Sequence, residues 1–401
     1  MLRYLLVLPA VIVVFATAIC PLVESLRLSF TVGRLNRPGS LDQYLGWENF
    51  TWAIFEEPSF WNSVWVTGVY TVVTVGPTTV LALGLALLLA PGGRLRSGVQ
   101  TLLILPFAMS PALIGVSFRF MFNPEFGLFD AFFGAVFPPL ADVSWLADPT
   151  LAFAVCVMAD VWGWIPFLTL VLIGGLASVP KEKVEAAQVD GASVWRVFRD
   201  VTLPQLAPAL ALVVILKSIF SLKTFDQIFM LTNGGPGTAT QFMSAVVIIL
   251  PFFAMFRDIG LLDTRLGLIL VNLAVVMPFA IWMIKGFIDG IPLDTEEAAM
   301  VDGSSRLQVI RNIVLPMAVP GLLTAGIFCF ILAWNEFLFA LILTNKDAVT
   351  LPIGLALFKA EEGDLWNLLS AAGIIIMLPM FVLALLIRKY FVQGMTIWAV
   401  R

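Results

Sequence analysis

Apolar residues run almost unbroken over eight stretches of the chain, approximately 4–23, 64–90, 99–122, 151–178, 206–228, 266–288, 318–343 and 367–387. At 1.5 Å per residue each can cross a hydrocarbon core of about 30 Å. The pattern therefore predicts an all-α fold, a polytopic transmembrane helical bundle of about eight spans. A ninth run, 244–256, has only 13 residues; it reaches about 20 Å and suits a re-entrant or interfacial piece. The first run is long for a signal-peptide core and no small-residue cleavage site follows it, so it reads as a retained span.

Charged groups between the runs suggest an orientation. Arg94, Arg96, Lys181, Lys183, Arg196, Arg199, Arg306, Arg311, Arg388, Lys389 and Arg401 all fall on one side if the N-terminus is inside. Positive residues in short loops are retained on the cytoplasmic side, which places both termini in the cytoplasm. Arg27, Arg34, Arg37, Arg257, Arg265, Lys346 and Lys359 fall on the other side and weaken the bias.

Composition agrees with a membrane protein. Of 401 residues, 60% are hydrophobic and 12% charged, against about 45–50% and 25% in soluble domains. Net charge is −4 and no basic tract occurs, which argues against a nucleic-acid partner. Histidine is absent, removing the commonest metal ligand and the commonest neutral-pH acid or base. Cys20, Cys156 and Cys329 each lie inside an apolar run, where a thiol behaves as a small hydrophobe. These features argue against disulfides, zinc chemistry and histidine-based triads.

One polar segment recurs. Pro180, Glu185, Ala186, Ala187, Val189, Asp190, Gly191, Ser193, Val197, Arg199, Leu203, Pro204 and Pro208 reappear at Pro292, Glu297, Ala298, Ala299, Val301, Asp302, Gly303, Ser305, Val309, Arg311, Leu315, Pro316 and Pro320. The offset is always 112, as in 297 − 185, and the match holds thirteen identities across 180–208 without a gap. Each copy opens on Pro, which suits a first helical turn. It continues through a strong helix-forming Glu-Ala-Ala to Asp-Gly, where a helix stops. A second helical stretch then runs to Leu-Pro at the next span. Such a helix-turn-helix, projecting from a membrane, is shaped to be gripped by a cytoplasmic partner.

The paired loops carry the pattern E-A-A, three residues, G, then I/L-x-L-P. In this the chain resembles the inner-membrane permease subunits of binding-protein-dependent ABC importers, specifically the sugar and glycerol-phosphate branch. Residues 1–242, with spans one to five, the loop 180–204 and the stretch Thr224 to Gly237, resemble one subunit type. Residues 243–401, with spans six to eight and the loop 292–316, resemble its partner through Gly260 to Thr264, Ala333 to Phe337, Thr350 to Gly354 and Arg388 to Gly394. Each family subunit carries six or more spans, so the chain looks like a fusion with an internal deletion near 242–246. Both loops must face the cytoplasm, so an even number of spans separates them, and 244–256 is expected not to cross.

The resemblance implies a type I ABC importer permease in the bacterial inner membrane. Glu185, Ala186, Ala187, Asp190 and Gly191, with Glu297, Ala298, Ala299, Asp302 and Gly303, would form two coupling helices seated on two cytoplasmic ATP-binding subunits. An external sugar-binding protein, the lipid bilayer and a further permease chain are the other partners it suggests. No Gly-Lys dipeptide occurs, so no phosphate-binding P-loop is present and ATP would be used by the partner subunits. The chain itself would bind no cofactor and would not be an enzyme. An ion-coupled secondary transporter and an assembly-defective remnant are the competing readings.

Polar groups inside apolar runs are costly and point to a pathway. Lys217 and Ser221 in span five, and Asn335 and Glu336 in span seven, are candidates. Lys217 reads as a pathway or packing-pair residue, Ser221 as a helix-to-helix hydrogen bond, and Glu336 as a pathway group or the partner of a basic residue. Lys223 and Asp226 fit either the pathway or an interface. Trp162 and Trp164 could stack on a sugar ring, or pack as ordinary tryptophans. The particular sugar or polyol is not written in the chain.

Overall fold

The computed structural model describes residues 43–90, 109–136, 143–242, 259–356 and 370–383, with scattered positions between. The described residues are mainly helical, with a short antiparallel pairing of Lys359–Ala360 with Gly363–Asp364 and an isolated antiparallel bridge between Thr31 and Tyr44. Among the described residues, five helices are long and apolar enough to cross a membrane: α1 Pro58–Leu89, α4 Pro149–Ala177, α6 Val194–Leu222, α8 Arg265–Ile288 and α10 Arg306–Trp334. Shorter helices include α2 Pro111–Met121, α3 Leu128–Val136, α5 Lys181–Val189, α7 Asp226–Thr232, α9 Leu293–Val301, α11 Leu338–Leu343, α12 Leu351–Ala356 and α13 Ser370–Leu383, and two helical turns, Glu48–Thr51 and Trp52–Glu56, precede α1. Of the eight expected spans, five are therefore present as membrane-length helices. In 99–122 and 367–387 the described parts are the shorter α2 and α13. The first run and the remnant 244–256 lie almost wholly outside the described residues.

Local chemistry sets the helix ends. The Asp148 carboxylate accepts the Thr150 and Leu151 amides at 2.9 Å each, and Pro149 opens α4, a side-chain cap followed by the residue that has no amide to satisfy. In α1 the hydroxyls of Thr67, Thr71, Thr74 and Thr78 donate to the carbonyls four residues back at 2.6–2.8 Å. This hides polar atoms within an apolar helix. In α6 and α10 a wide π turn, Phe198–Thr202 and Ile310–Val314, precedes a Leu-Pro step. Pro204 and Pro316 lack an N–H, and their rings crowd the carbonyl four residues back, so the preceding turn opens.

Spans five and seven are shorter than their apolar runs predict. Helix α6 stops at Leu222 and α7 begins at Asp226; α10 stops at Trp334 and α11 begins at Leu338. Both breaks fall on polar pairs, Lys223-Thr224 and Asn335-Glu336. Their positions differ by 112, as do α5 from α9 and α6 from α10. Even the prolines inside α4 and α8, Pro166 and Pro278, keep the offset. The repeat thus reaches far beyond the loop, with α4 to α7 answered by α8 to α11. Helix α1, which packs on α4 and α6, has no counterpart in the second half among the described residues.

The two halves share one core. Ala82 of α1, Phe167 and Leu172 of α4 and Val213 of α6 cluster with Met283 of α8 and Phe328 of α10. Phe328 meets Phe167 edge-on at 5.6 Å and Phe279 at 5.9 Å, favoured aromatic geometries. Corresponding contacts within the halves exchange their large and small members. Gly175 faces Ala209 and Leu206, so closely that an added Cβ would lie 2.7 Å from that of Ala209. At the matching positions Phe287 faces Gly321, where an added Cβ would fall 2.2 Å from the phenyl ring. Leu206 in turn is matched by Ala318, so the large side chain moves from the later helix of the first half to the earlier helix of the second.

Overpacking of this kind costs about 1–3 kcal/mol. Gly321→Ala should lower the thermal unfolding midpoint of the detergent-solubilised chain, and adding Phe287→Gly together with Ala318→Leu, which recreates the first-half trio of Gly175, Leu206 and Ala209, should recover part of the loss. An unchanged midpoint in the single variant would contradict the contact.

Candidate functional site

The loop helices α5 and α9 are built alike. Each starts after a proline in extended conformation, Pro180 or Pro292, and ends where Asp190 or Asp302 donates to the carbonyl of Ala186 or Ala298 at 3.0 Å. The next residue turns left-handed, Gly191 with φ +76° and Gly303 with φ +87°, a conformation that costs glycine nothing. Ser193 and Ser305 then cap α6 and α10. Glu185, Ala186, Asp190, Gly191, Glu297, Ala298, Asp302 and Gly303 are exposed, while Ala187 and Ala299 are half-buried against their own loops.

Sequence reasoning missed the apolar tips of these loops. Val189 is 87% exposed and Val301 86%. Beside them stand Val194 and Trp195 in the first copy and Leu307 in the second, all largely exposed. Each loop thus carries an uncovered apolar patch on an otherwise polar helix. The signal was available, since Val189 and Val301 are among the repeated identities.

The second feature is a cavity of about 350 Å3 lined by α2, α4, α6, α7, α8, α10 and α11, so both halves contribute. Its walls are mostly apolar and include the rings of Trp164, Phe167, Phe220, Phe279 and Phe328. Lys223, Asp226, Gln227, Asn335 and Glu336 are gathered there by the two helix breaks. The Glu336 carboxylate accepts the amides of Phe339 at 2.6 Å and Ala340 at 3.0 Å, which satisfies the start of α11. Lys223 lies 4.7 Å over the Phe220 ring.

Of the sequence candidates, Trp164, Asn335 and Glu336 line this cavity, and so do Lys223 and Asp226. Trp162 is not among the lining residues; it is 41% exposed and packs its ring 5.8 Å from that of Phe118. Lys217 and Ser221 are fully buried behind the wall. The Lys217 ammonium donates to Asp160 of α4 at 2.5 Å and to the Ser221 hydroxyl at 2.7 Å, and lies 5.5 Å over the Trp164 ring. Ser221 is 3.0 Å from the Thr74 hydroxyl of α1, and the buried Tyr70 of α1 lies beside Asp160. The network ties α1, α4 and α6 together. In the second half Asn272 and Cys329 occupy the places of Asp160 and Lys217, with no ion pair.

On the far side of the bundle, Asp263 holds a loop closed. Its carboxylate accepts the backbone amides of Asn345, Lys346, Asp347 and Ala348 at 3.0–3.2 Å. Those amides draw its pKa down to about 2, so it stays charged at neutral and mildly acidic pH. The linked stability is present above the ordinary aspartate range and is lost only as pH falls toward 2.

These features define a polytopic membrane permease with a central cavity and two exposed, repeated loops. Two successive segments, 79–246 and 237–397, match the family described as the binding-protein-dependent transport system inner membrane component, and the chain belongs to that family. Its members are transport permeases, not enzymes. Among similar proteins are the trehalose/maltose transport permease MalF of Thermococcus litoralis, 34% identical over 61% of this chain and 81% of that one, and the sulfoquinovosyl glycerol transport permease SmoG of Agrobacterium fabrum, 32% identical over 62% of this chain and 79% of that one. A probable ABC transporter permease of Brucella suis is 28% identical over 71% of this chain and 96% of its own length. The crystal structure of a bacterial alginate ABC transporter has the same fold, with a TM-score of 0.51 and 20% identity over 69% of this chain and 91% of that one.

Removing one member of a buried pair strands a charge and costs about 3–5 kcal/mol, whereas replacing both with apolar groups is often neutral. Lys217→Met alone should sharply lower folded yield and unfolding temperature, and Lys217→Met with Asp160→Leu should restore most of both. Equal damage in single and double variants would contradict the pairing.

Proposed function

We propose that the chain is the permease of an ATP-driven sugar or polyol importer and presents both coupling helices itself. The observation that carries this reading is the pair of uncovered apolar tips, Val189 and Val301, at the same register of two loops. Two membrane-length helices, α6 and α8, separate the loops among the described residues, which supports a common cytoplasmic side. Each tip would seat on one of two ATP-binding subunits, with Glu185 and Glu297 meeting basic groups and Gly191 and Gly303 shaping the turn. The ATP would be bound and hydrolysed by those subunits, and this chain would need no cofactor of its own.

The cavity between the halves would carry the substrate, delivered by an external binding protein. The carbohydrate named in the similar trehalose/maltose permease supports a sugar as cargo. Residues 1–242 and 243–401 would be two fused permease-like units in a bacterial inner membrane, with both termini cytoplasmic. That α1 has no second-half counterpart among the described residues favours one other reading, a shortened permease whose missing cover comes from another permease chain or is lost with transport.

The chain should capture a sugar-importer ATPase from the same organism when the two are co-expressed and purified in detergent. Val189→Asp with Val301→Asp should abolish capture, and Glu185→Ala with Glu297→Ala should weaken it severalfold, while the solubilised chain keeps its helical circular dichroism. Capture that survives the Asp substitutions would overturn the docking assignment.

A further inference from the structure

At its entry into α1 the chain lays out a row of bare rings. Tyr44, Trp47, Trp52, Phe55, Trp61 and Trp65 are all exposed, Phe55 at 81% and Tyr44 at 76%. Contacts from behind hold the row in shape. Phe30 packs on Trp47 and on Phe50 with ring centroids 5.2 Å apart in each case. The Asn49 side chain donates to the carbonyls of Ser29 and Thr31 at 3.0 and 2.7 Å, and the Trp61 indole donates to the Ile54 carbonyl at 2.7 Å. An ordered surface with this much uncovered apolar area marks an interaction site.

Its place on the bundle identifies the partner. Tyr70 of α1 meets Phe153 near the start of α4, and Ala86 shares a cluster with Leu172 near the end of α4, so the two helices run parallel. The start of α1 therefore lies at the opposite end of the bundle from loop helix α5. It is tied there to the segment after α7, where the Thr238 carbonyl accepts from the Asn62 side chain at 3.0 Å. Along α1, Trp61, Trp65, Val72, Gly76 and Val80 are exposed and fall within about 100° of one another at helical spacing. The rings are thus the end of a stripe that faces lipid. Trp and Tyr at such an end sit at headgroup level, where an apolar ring body and a polar edge are both accommodated.

Charge narrows the headgroup. Between Arg37 and Arg94 there is no Lys or Arg, while Asp42, Glu48, Glu56 and Glu57 are acidic. Glu57 is engaged at the start of α1, where it accepts the Ser59 amide at 3.2 Å. Glu48 and Glu56 are exposed between the rings. Arg27, one turn before Phe30, is the nearest described basic group along the preceding chain. A headgroup ammonium meets carboxylates and ring faces here, and both attract it. A headgroup whose only charge is its phosphate meets like charge instead.

We propose that residues 44–65 form a lipid-docking shelf in the headgroup layer of the leaflet opposite the repeated loops, and that Glu48 and Glu56 select phospholipids whose headgroup carries an ammonium group. The rings set the depth and the carboxylates set the preference. Seated in this way, the shelf fixes how deeply α1 enters the bilayer, and with it the height at which Thr74 meets Ser221 of α6.

The test is photo-crosslinking of the full chain in nanodiscs of equal parts phosphatidylethanolamine and phosphatidylglycerol, with one lipid or the other carrying a photoactivatable group near its glycerol, followed by peptide mapping. The ethanolamine probe should label 44–65 about threefold more than the glycerol probe, the scale of an exposed cation–ring and carboxylate contact. Glu48→Gln with Glu56→Gln should bring the ratio close to one. Trp52→Ser with Phe55→Ser should lower labelling by both probes, while circular dichroism and size-exclusion profiles stay unchanged in both variants. Equal labelling of the unmodified chain by the two probes, or an unaltered ratio in the glutamine variant, would overturn the headgroup preference. Absence of 44–65 from the labelled peptides would overturn the shelf itself and assign these rings to a protein partner.

Discussion

A helix that stops in an apolar setting leaves its last carbonyls and the next helix's first amides in need of partners. This chain stops two of its long helices at the same register, after Leu222 and after Trp334. Much of its polar architecture follows from those stops. Glu336 turns back to satisfy the first amides of α11, and Asp226 opens α7, where an acidic group suits the positive end of the helix. Because the halves pack face to face through Phe328, Phe167 and Phe279, the breaks meet at one cavity. A polar cluster that would be costly on a lipid-facing surface is thereby gathered around a space that a solute can fill.

The two halves answer the same constraint unequally. In the first, α1 covers α4 and α6, and the Lys217–Asp160 pair with Ser221 and Thr74 binds the three into a block. The second half has Asn272 and Cys329 at those places and no described counterpart of α1. Burying an ion pair gives little net stability over apolar packing, but once present it makes the relative placement of its helices hard to change. The first half is accordingly the more rigidly specified of the two, and α8 with α10 is held chiefly by apolar contacts such as Phe287 on Gly321.

The sequence made the loops legible because their exposed side chains recur residue for residue, from Glu185 and Gly191 to Glu297 and Gly303. The rest of the repeat was invisible there, since helices in an apolar medium tolerate any apolar side chain of compatible volume. Gly175 with Ala209 becomes Phe287 with Gly321, and the identities vanish while the contact remains. Lys217 stood out as a charge in an apolar run, but Asp160 was overlooked although it is equally isolated, and reading the two together would have found the pair. Lys223, Asp226, Asn335 and Glu336 could be listed from sequence, yet only the breaks in the helices reveal that they converge. Trp162 and Trp164 differ by two residues, which places them on different sides of α4, so one lines the cavity and the other packs on Phe118.

The central claim is that one chain presents two working docking loops. Native mass of the complex formed with a sugar-importer ATPase tests it most directly. The account predicts one permease chain with two ATPase subunits. Two permease chains with two ATPase subunits would contradict it, because one loop of each chain would then stand idle.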